Sequence, residues 1–146
     1  MTVPPSSTPG PLVPESVVPE SVVLDASAMV DLLARTDRFE AVRVRLAGTT
    51  LHAPAHFDVE VLSALGRMHR AGLLTVAQVD GALGELRSAP VTRHPLSPLV
   101  AGAWARRDTF RIADALYVEL AASTGSALVT TDQRLARGWP SVAVIT

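Results

Sequence analysis

The sequence predicts an α/β fold of three layers, with a central parallel sheet of four to five strands, helices on both faces and a protruding helical hairpin. Short apolar runs rich in β-branched residues alternate with longer segments whose apolar residues recur at helical spacing. Such alternation is typical of parallel sheets, because each parallel strand needs a crossover connection before the next. The length of 146 residues fits one domain of this kind.

The first elements after the tail are a buried strand and two helices. The run SVVL, residues 21–24, is apolar and β-branched and ends at Asp25. Ser27 then has the residue type of an N-cap for the helix AMVDLLA. We predict a second helix from about Asp37 to Leu46 and a short strand at residues 50–53.

The middle of the chain predicts the helical hairpin. In HFDVEVLSALGRMHRAG, Val59, Leu62, Leu65 and Met68 recur at helical spacing, and Gly72 is a typical helix end. Thr75 opens a second amphipathic helix, TVAQVDGALGELRSA. The short link between the two helices predicts that they pack against each other.

The remaining elements follow the same alternation. After the proline-containing segment VTRHPLSP, we predict a helix through Val100 and Trp104, a polar connection ARRDTFR and the helix IADALYVELAASTG. A buried strand, ALVT, then ends at Thr131 and Asp132. A short helix, QRLAR, and a last strand at residues 142–145 complete the predicted sheet.

Composition divides the chain into a tail and a domain. Residues 1–20 contain six of the eleven prolines and no basic residue, which predicts a disordered Pro/Ser-rich tail followed by a domain over residues 21–146. No apolar run approaches the roughly 20 residues that span a bilayer. The N-terminus also lacks the basic and apolar regions of a signal peptide, so we expect a cytoplasmic protein without membrane contact.

Two absent residue types exclude several classes of function. Without cysteine, thiolate nucleophiles and cysteine-based zinc sites are excluded, and a carboxylate site would favour hard cations. All 13 basic residues are arginine. Phosphatases with an aspartyl-phosphate intermediate, receiver domains and nucleotide P-loops all use a lysine, so these phosphate-handling classes are excluded.

Four acidic residues stand where chemistry is expected. Asp25 and Asp132 follow predicted strands, and ligands of parallel sheets gather beyond the carboxyl ends of strands. Glu60 and Asp114 interrupt apolar helical faces, where an unpaired charge is costly. A shared divalent cation would neutralise all four. Taken singly, Asp25 is equally explained as a helix cap and Glu60 as part of an ion pair with Arg67.

These residues occur in motifs that resemble the PIN domains of VapC toxins. The segments are VVLDASAMVDLL, FDVEVLSALGR and RIADALYVELAASTGSALVTTDQRL, and the resemblance runs from about Val22 to Ile145. It implies a metal site formed by four acids, supported by two hydroxyl groups. By position, the acids are Asp25, Glu60, Asp114 and Asp132, and the hydroxyls are those of Ser27 and Thr130.

The resemblance also implies an activity and partners. The expected activity is Mg²⁺- or Mn²⁺-dependent endonucleolytic hydrolysis of RNA, leaving 5′-phosphate and 3′-hydroxyl ends. The expected substrate is structured RNA, either transfer RNA or ribosomal RNA. The expected partners are a VapB-like antitoxin and a second copy of the chain in a homodimer.

Arginines close to the predicted acids suggest RNA contacts. Arg107 and Arg111 precede Asp114, and Arg134 follows Asp132, which predicts a basic rim that positions RNA phosphates. A solvated helix end explains Arg107 equally well. The alternative function that the sequence leaves open is a catalytically inactive PIN-like interaction module, and metal-dependent RNA cleavage separates the two.

Overall fold

The strands of the protein form a single parallel sheet. The computed structural model describes residues 1–6, 8–11, 18–139 and 142–146, with only the backbone of Val142. Within these ranges the strands are β1 (Ser21–Leu24), β2 (Thr50–Pro54), β3 (Val91–His94), β4 (Ala127–Thr130) and β5 (Val142–Val144). All neighbouring strands pair in parallel, in the order β3-β2-β1-β4-β5. The predicted α/β fold with a parallel sheet of four to five strands is confirmed.

Helices connect the strands and cover the sheet. They are α1 (Ala26–Leu33), α2 (Phe39–Leu46), α3 (Phe57–Arg70), α4 (Val76–Ser88), α5 (Val100–Ala105), α6 (Ile112–Thr124) and α7 (Gln133–Ala136). The chain moves outward from β1 to β3 and then returns across the sheet to β4. Because parallel crossovers are right-handed, this reversal places α5 and α6 on the face opposite α1 to α4.

The two central strands carry the core. Val22, Val23 and Leu24 of β1 and Leu128 and Val129 of β4 have no exposed surface. Strands covered on both faces are expected to be apolar throughout, because neither side chain direction leads to solvent. The polar groups that follow these strands are therefore held by a well-packed base.

The predicted helical hairpin is present as α3 and α4, which pack against each other. Gly72, with φ of +76°, ends the first helix, and a capping box starts the second. There Thr75 Oγ accepts the Gln78 backbone N–H at 3.1 Å, while Gln78 Oε1 accepts the Thr75 N–H at 2.8 Å. Both helix boundaries were predicted from these residue types.

The predicted apolar stripe of α3 was wrong in its phase. The buried residues are Phe57, Val61 and Leu65, while Val59 and Leu62 are 65% and 52% exposed. Apolar residues lie on more than one side of this helix, so spacing alone does not select the face. Contacts with α1 decide the buried side.

Strand β3 was missed because its sequence does not look buried. VTRH contains an arginine and a histidine, and β3 lies at the edge of the sheet, where charged and polar residues are common. Across the β2–β3 pair, His52 Nδ1 lies 2.9 Å from His94 Nε2. Arg93 forms an ion pair with Asp58 of α3 at 2.9 Å. Polar contacts thus attach this edge strand to the domain.

The predicted tail is only partly described. Residues 1–6, 8–11 and 18–20 contain no helix or strand, and residues 7 and 12–17 lie outside the described part, so tail disorder stays a prediction. The last strand ends at Val144, one residue earlier than predicted. Among the described residues, no helix combines the length and apolar content needed to cross a membrane.

Candidate active site

A cavity opens at the carboxyl edge of the sheet, beside the switch in strand order. Strand β1 pairs with β2 on one side and β4 on the other, and such reversals leave a crevice beyond the strand ends. The cavity has a volume of about 480 Å³. All four predicted acids line it: Asp25, Glu60, Asp114 and Asp132.

Asp25 lies at the junction of β1 and α1 and is only 6% exposed. Its backbone is extended, with φ of −72° and ψ of 147°, and it occupies the N-cap position of α1 without a side-chain capping bond. The predicted N-cap, Ser27, was wrong because the helix begins one residue before it. The carboxylate of Asp25 therefore points away from the helix backbone and towards other partners.

Two hydroxyl groups hold one oxygen of Asp25. Ser27 Oγ and Thr130 Oγ1 each donate to Asp25 Oδ2 at 2.6 Å. Each hydroxyl also accepts a backbone N–H of the loop after β4, that of Thr131 at 3.2 Å and that of Asp132 at 2.9 Å. A single hydroxyl hydrogen serves one acceptor, so the 3.1 Å contact between the two hydroxyls carries no hydrogen bond. The hydroxyls thus join β1 to the loop that carries Asp132.

The Asp25 carboxyl is electrostatically perturbed. Burial raises its pKa from 3.8 to about 6; the hydrogen bonds from Ser27 and Thr130 lower it, and the charges of Glu60 and Asp114 raise it further. Among the described residues, no hydrogen bond reaches Asp25 Oδ1. The residue therefore offers a free carboxylate oxygen in a place where negative charge is unfavourable without a cation.

Glu60 enters the cavity from α3. Its Oε1 accepts a hydrogen bond from Tyr117 Oη at 2.7 Å and lies 3.4 Å from His56 Nε2. The alternative ion pair with Arg67 is not formed. Tyr117 is fully buried, and burial raises the pKa of its phenol, so it remains a donor. From the sequence, Tyr117 was interpreted as core or interface packing only; its position one helical turn after Asp114 was the available signal.

Asp114 and Asp132 each pair with an arginine. Arg111 Nε lies 3.8 Å from Asp114 Oδ2, and Arg134 Nη2 lies 3.1 Å from Asp132 Oδ2. Burial raises the pKa of Asp114, against the opposing charge of Arg111. The hydrogen bond from Arg134 lowers the pKa of Asp132, which also caps α7 by accepting the Arg134 N–H at 2.9 Å.

The predicted basic rim is only partly assembled. Arg111 and Arg134 line the cavity, but Arg107 does not. Its guanidinium lies over the Trp104 ring at 4.7 Å and donates to the Trp104 carbonyl at 3.0 Å. The alternative interpretation, a helix-end arginine away from RNA, fits this placement better. The cation–π contact with its neighbour three residues earlier explains why Arg107 turns away.

Three further charged residues line the cavity, and sequence reasoning did not assign them. Arg38 and Arg67 approach from the α1–α3 side. Asp31, interpreted from the sequence as solvated or capping, is in fact 8% exposed and accepts a hydrogen bond from the Thr36 hydroxyl. Their distance along the chain from the recognised motifs hid them, since only the fold brings α1 and α3 together.

The donor set fits a hard divalent cation. Carboxylate oxygens are the ligands that such ions prefer, and Asp25 supplies one that has no protein partner. In the observed side-chain positions of the described residues, no three carboxylate or imidazole groups enclose a common point. The arginine pairs of Asp114 and Asp132 account for this, because they hold both carboxylates on the rim.

Comparisons with known proteins identify the family. The PIN domain model matches residues 22–138. Ribonuclease VapC3 of Mycobacterium tuberculosis is 73% identical over 124 residues, which are 84% of this chain and 90% of that protein. The crystal structure of PAE2754 from Pyrobaculum aerophilum has a TM-score of 0.62 at 26% identity and covers 84% of this chain and 82% of its own.

A toxin–antitoxin complex from Klebsiella pneumoniae contains a chain with a TM-score of 0.63 at 14% identity, covering 84% of this chain and 96% of its own, a likeness that shows the fold alone. The resemblance inferred from the three sequence motifs is confirmed by the family model and by VapC3. On these grounds the chain belongs to the PIN-domain family and, within it, to the VapC ribonucleases.

Proposed function

We propose that this protein is a metal-dependent endoribonuclease, the toxin of a VapBC-type toxin–antitoxin pair, which hydrolyses phosphodiester bonds of structured RNA. The observation that carries the proposal is Asp25, a buried carboxylate with one oxygen fixed by two hydroxyls and the other free on the wall of an acidic cavity. High identity to a protein named as a ribonuclease supports the same activity.

The proposed cofactor is Mg²⁺ or Mn²⁺, held by Asp25, Glu60, Asp114 and Asp132. Such an ion supplies a nucleophilic water at neutral pH and stabilises the leaving oxygen of an in-line displacement. The perturbation of Asp25 supports this, because burial and like charges both disfavour its ionised form unless a cation is present.

The chain's own residues would divide the remaining work. Ser27 and Thr130 fix the Asp25 carboxylate in one orientation, and the same hydroxyls fix the loop before Asp132. Tyr117 holds one oxygen of Glu60 by donating to it. Arg111 and Arg134 would exchange their carboxylate partners for RNA phosphates as the carboxylates turn inward. Preorganised contacts of this kind reduce the reorganisation needed during reaction.

The proposed partners follow from the family. A VapB-like antitoxin would inhibit the protein, and a second copy of the chain would complete a homodimer. Transfer RNA and ribosomal RNA are the proposed substrates, and a cytoplasmic location is consistent with them. The Klebsiella pneumoniae chain, which occurs in a toxin–antitoxin complex, shows that this fold supports such an assembly.

The test is cleavage of purified transfer RNA and ribosomal RNA by antitoxin-free protein with Mg²⁺ or Mn²⁺, with EDTA, and with Asp25→Asn. Asp80→Asn, the same change at an exposed position outside the cavity, is the matched control. We expect cleavage by wild type and Asp80→Asn, none with EDTA or Asp25→Asn, and products with 5′-phosphate ends. A folded wild type that binds Mn²⁺ in calorimetry but cuts neither RNA would favour the inactive interaction module.

A further inference from the structure

We propose that Arg38 and Arg67 form a second phosphate-binding subsite, which holds an RNA backbone phosphate beside the one at the carboxylates. The subsite rests on the proposed function in one respect, because it assumes that RNA is the molecule that enters the cleft. Both side chains line the same cavity as the four acids. Contacts of this type set the position of the RNA without reading its sequence.

The two basic sides of the cavity differ in ion pairing. On one side, Arg111 and Arg134 each pair with a carboxylate of the site. On the other side, neither Arg38 nor Arg67 has a carboxylate within ion-pair distance among the residues that the structure describes. An anion can therefore bind Arg38 and Arg67 without first breaking an ion pair.

The guanidinium of Arg38 lacks a partner inside the protein. Its Nε is shielded from solvent and makes no hydrogen bond. A buried donor without an acceptor is unfavourable, and folded proteins seldom retain one without a reason. Guanidinium groups bind phosphate through two parallel hydrogen bonds, so a phosphate in the cavity would supply the missing acceptors.

The backbone of Arg38 is fixed before any ligand binds. The Thr36 hydroxyl donates to the buried carboxylate of Asp31 and accepts the Arg38 backbone N–H at 3.3 Å. The Thr36 N–H also donates to the Asp31 carbonyl at 3.2 Å. This turn between α1 and α2 holds Arg38 at the cavity wall. A preorganised contact loses less conformational entropy on binding than a mobile one.

Arg67 projects from the same face of α3 as Glu60. Glu60, Ala64 and Arg67 all line the cavity, and their spacing of four and three residues places them in a row along the helix. At 1.5 Å per residue, Arg67 is about 10 Å from Glu60 along the helix axis. A phosphate bound by Arg67 is therefore a neighbour of the phosphate held at the carboxylates, and RNA would cross α3 between the two.

The test measures RNA binding separately from cleavage. Arg38→Gln, Arg67→Gln and the double variant are made in the Asp25→Asn background, and binding of fluorescent unfractionated transfer RNA is followed by anisotropy across a salt series. Arg70→Gln, an exposed arginine one turn further along α3 and outside the cavity, is the matched control. We expect each cavity variant to weaken binding about 5- to 10-fold at low salt. The slope of log Kd against log salt should fall by about 0.7 for each arginine, with no change for Arg70→Gln.

Cleavage with the Asp25 carboxylate intact distinguishes this proposal from the proposed function. We expect KM to rise in Arg38→Gln and Arg67→Gln while kcat stays within about twofold, since uniform binding is lost. Binding and cleavage equal to those of Arg70→Gln would overturn the subsite and leave the ribonuclease intact. Arginine-dependent binding by a parent that cuts no RNA would retain the subsite and reject the hydrolysis.

Two precautions keep the result decisive. Arg38 is half-buried, so Arg38→Lys is tested beside Arg38→Gln, while Arg67 is exposed and its substitution is expected to leave the fold unchanged. Thermal unfolding of every variant checks this. If the variants lose affinity for the cognate antitoxin but bind transfer RNA like wild type, the arginines belong to a protein interface and the subsite is overturned.

Discussion

The two ends of strands β1 and β4 both carry hydroxyl groups but use them differently. At the carboxyl ends, the hydroxyls of Ser27 and Thr130 donate to the carboxylate of Asp25. At the amino ends, the hydroxyls of Ser21, Ser126 and Thr124 form a chain with contacts of 2.8 Å and 2.8 Å. Thr124 donates to the Leu120 carbonyl at 2.7 Å, so each donor in this chain has a neutral acceptor.

The difference lies in what remains unsatisfied. The amino-end network ends on a backbone carbonyl and needs nothing further. The carboxyl-end network ends on a buried charge whose pKa is raised to about 6 and whose Oδ1 has no partner among the described residues. Similar hydroxyls therefore serve stability at one end of the sheet and hold a reactive, incomplete site at the other. Groups held in an unfavourable state are typical of functional sites.

The largest effect is expected when the charge at the carboxyl end is removed. Asp25→Asn keeps the shape and an oxygen acceptor for both hydroxyls but lacks the negative charge that binds the cation. We expect kcat/KM for RNA cleavage to fall about 10³-fold or more. Single-turnover cleavage assays at saturating Mn²⁺ check this, and activity within tenfold of wild type would remove Asp25 from the catalytic centre.

The same substitution should stabilise the metal-free fold. Because the folded pKa of Asp25, about 6, lies above the unfolded value of 3.8, ionisation favours unfolding, and wild type loses stability as the pH rises from about 4 to about 6. At pH 7.5 in EDTA, Asp25→Asn should be more stable than wild type by about 2–3 kcal/mol.

Chemical denaturation at pH 4 and pH 7.5 measures this difference, which should nearly vanish at the lower pH. Adding Mn²⁺ should stabilise wild type and not the variant. A variant less stable than wild type at pH 7.5 would show that the carboxylate is favourable in the fold even without a cation.

A smaller loss is expected from the hydroxyl that orients the charge. Thr130→Val keeps the side-chain shape but removes the donor to Asp25 and the acceptor for the Asp132 N–H. Groups that orient metal ligands contribute about 10- to 100-fold to metal affinity or activity. We expect the Mn²⁺ concentration for half-maximal cleavage to rise by about that factor. Thr130→Ser, which restores the hydroxyl, should recover most of the affinity.

The smallest effect is expected at the amino end. Ser126→Ala interrupts the neutral hydroxyl chain of a buried residue, which costs about 1 kcal/mol of unfolding free energy. RNA cleavage and Mn²⁺ dependence should match those of wild type. A change in metal dependence equal to that of Thr130→Val would contradict the assigned difference between the two ends.

Local patterns predicted most of the fold. β-branched runs predicted β1 and β4, and residue types at helix ends predicted Thr75 and Gly72 as boundaries of α4 and α3. The polar edge strand β3 was missed because an edge position relaxes the apolar requirement. The side of α3 that packs inward depends on α1, which is a contact that spacing within one helix does not contain.

The site was predictable where a motif carried it. Asp25, Glu60, Asp114 and Asp132 were named from strand ends, helical faces and family resemblance, and all four line one cavity. The contacts between them were not predictable, because the pairing of Tyr117 with Glu60 and the placement of Asp31, Arg38 and Arg67 arise from helices that meet only in the folded domain. Rotamers also matter: Arg107 is close to Asp114 in sequence but stacks on Trp104.

The parallel sheet also makes the two chain termini unequal for anyone who modifies this protein. The chain enters β1 at Ser21, at the amino edge of the sheet, about 13 Å from the carboxyl edge for a four-residue strand. It leaves β5 at Val144, at the carboxyl edge, and Ile145 donates to the Thr130 carbonyl at 3.0 Å. An affinity tag or fluorophore at the N-terminus therefore joins the domain on the side opposite the cleft, whereas one at the C-terminus begins beside it.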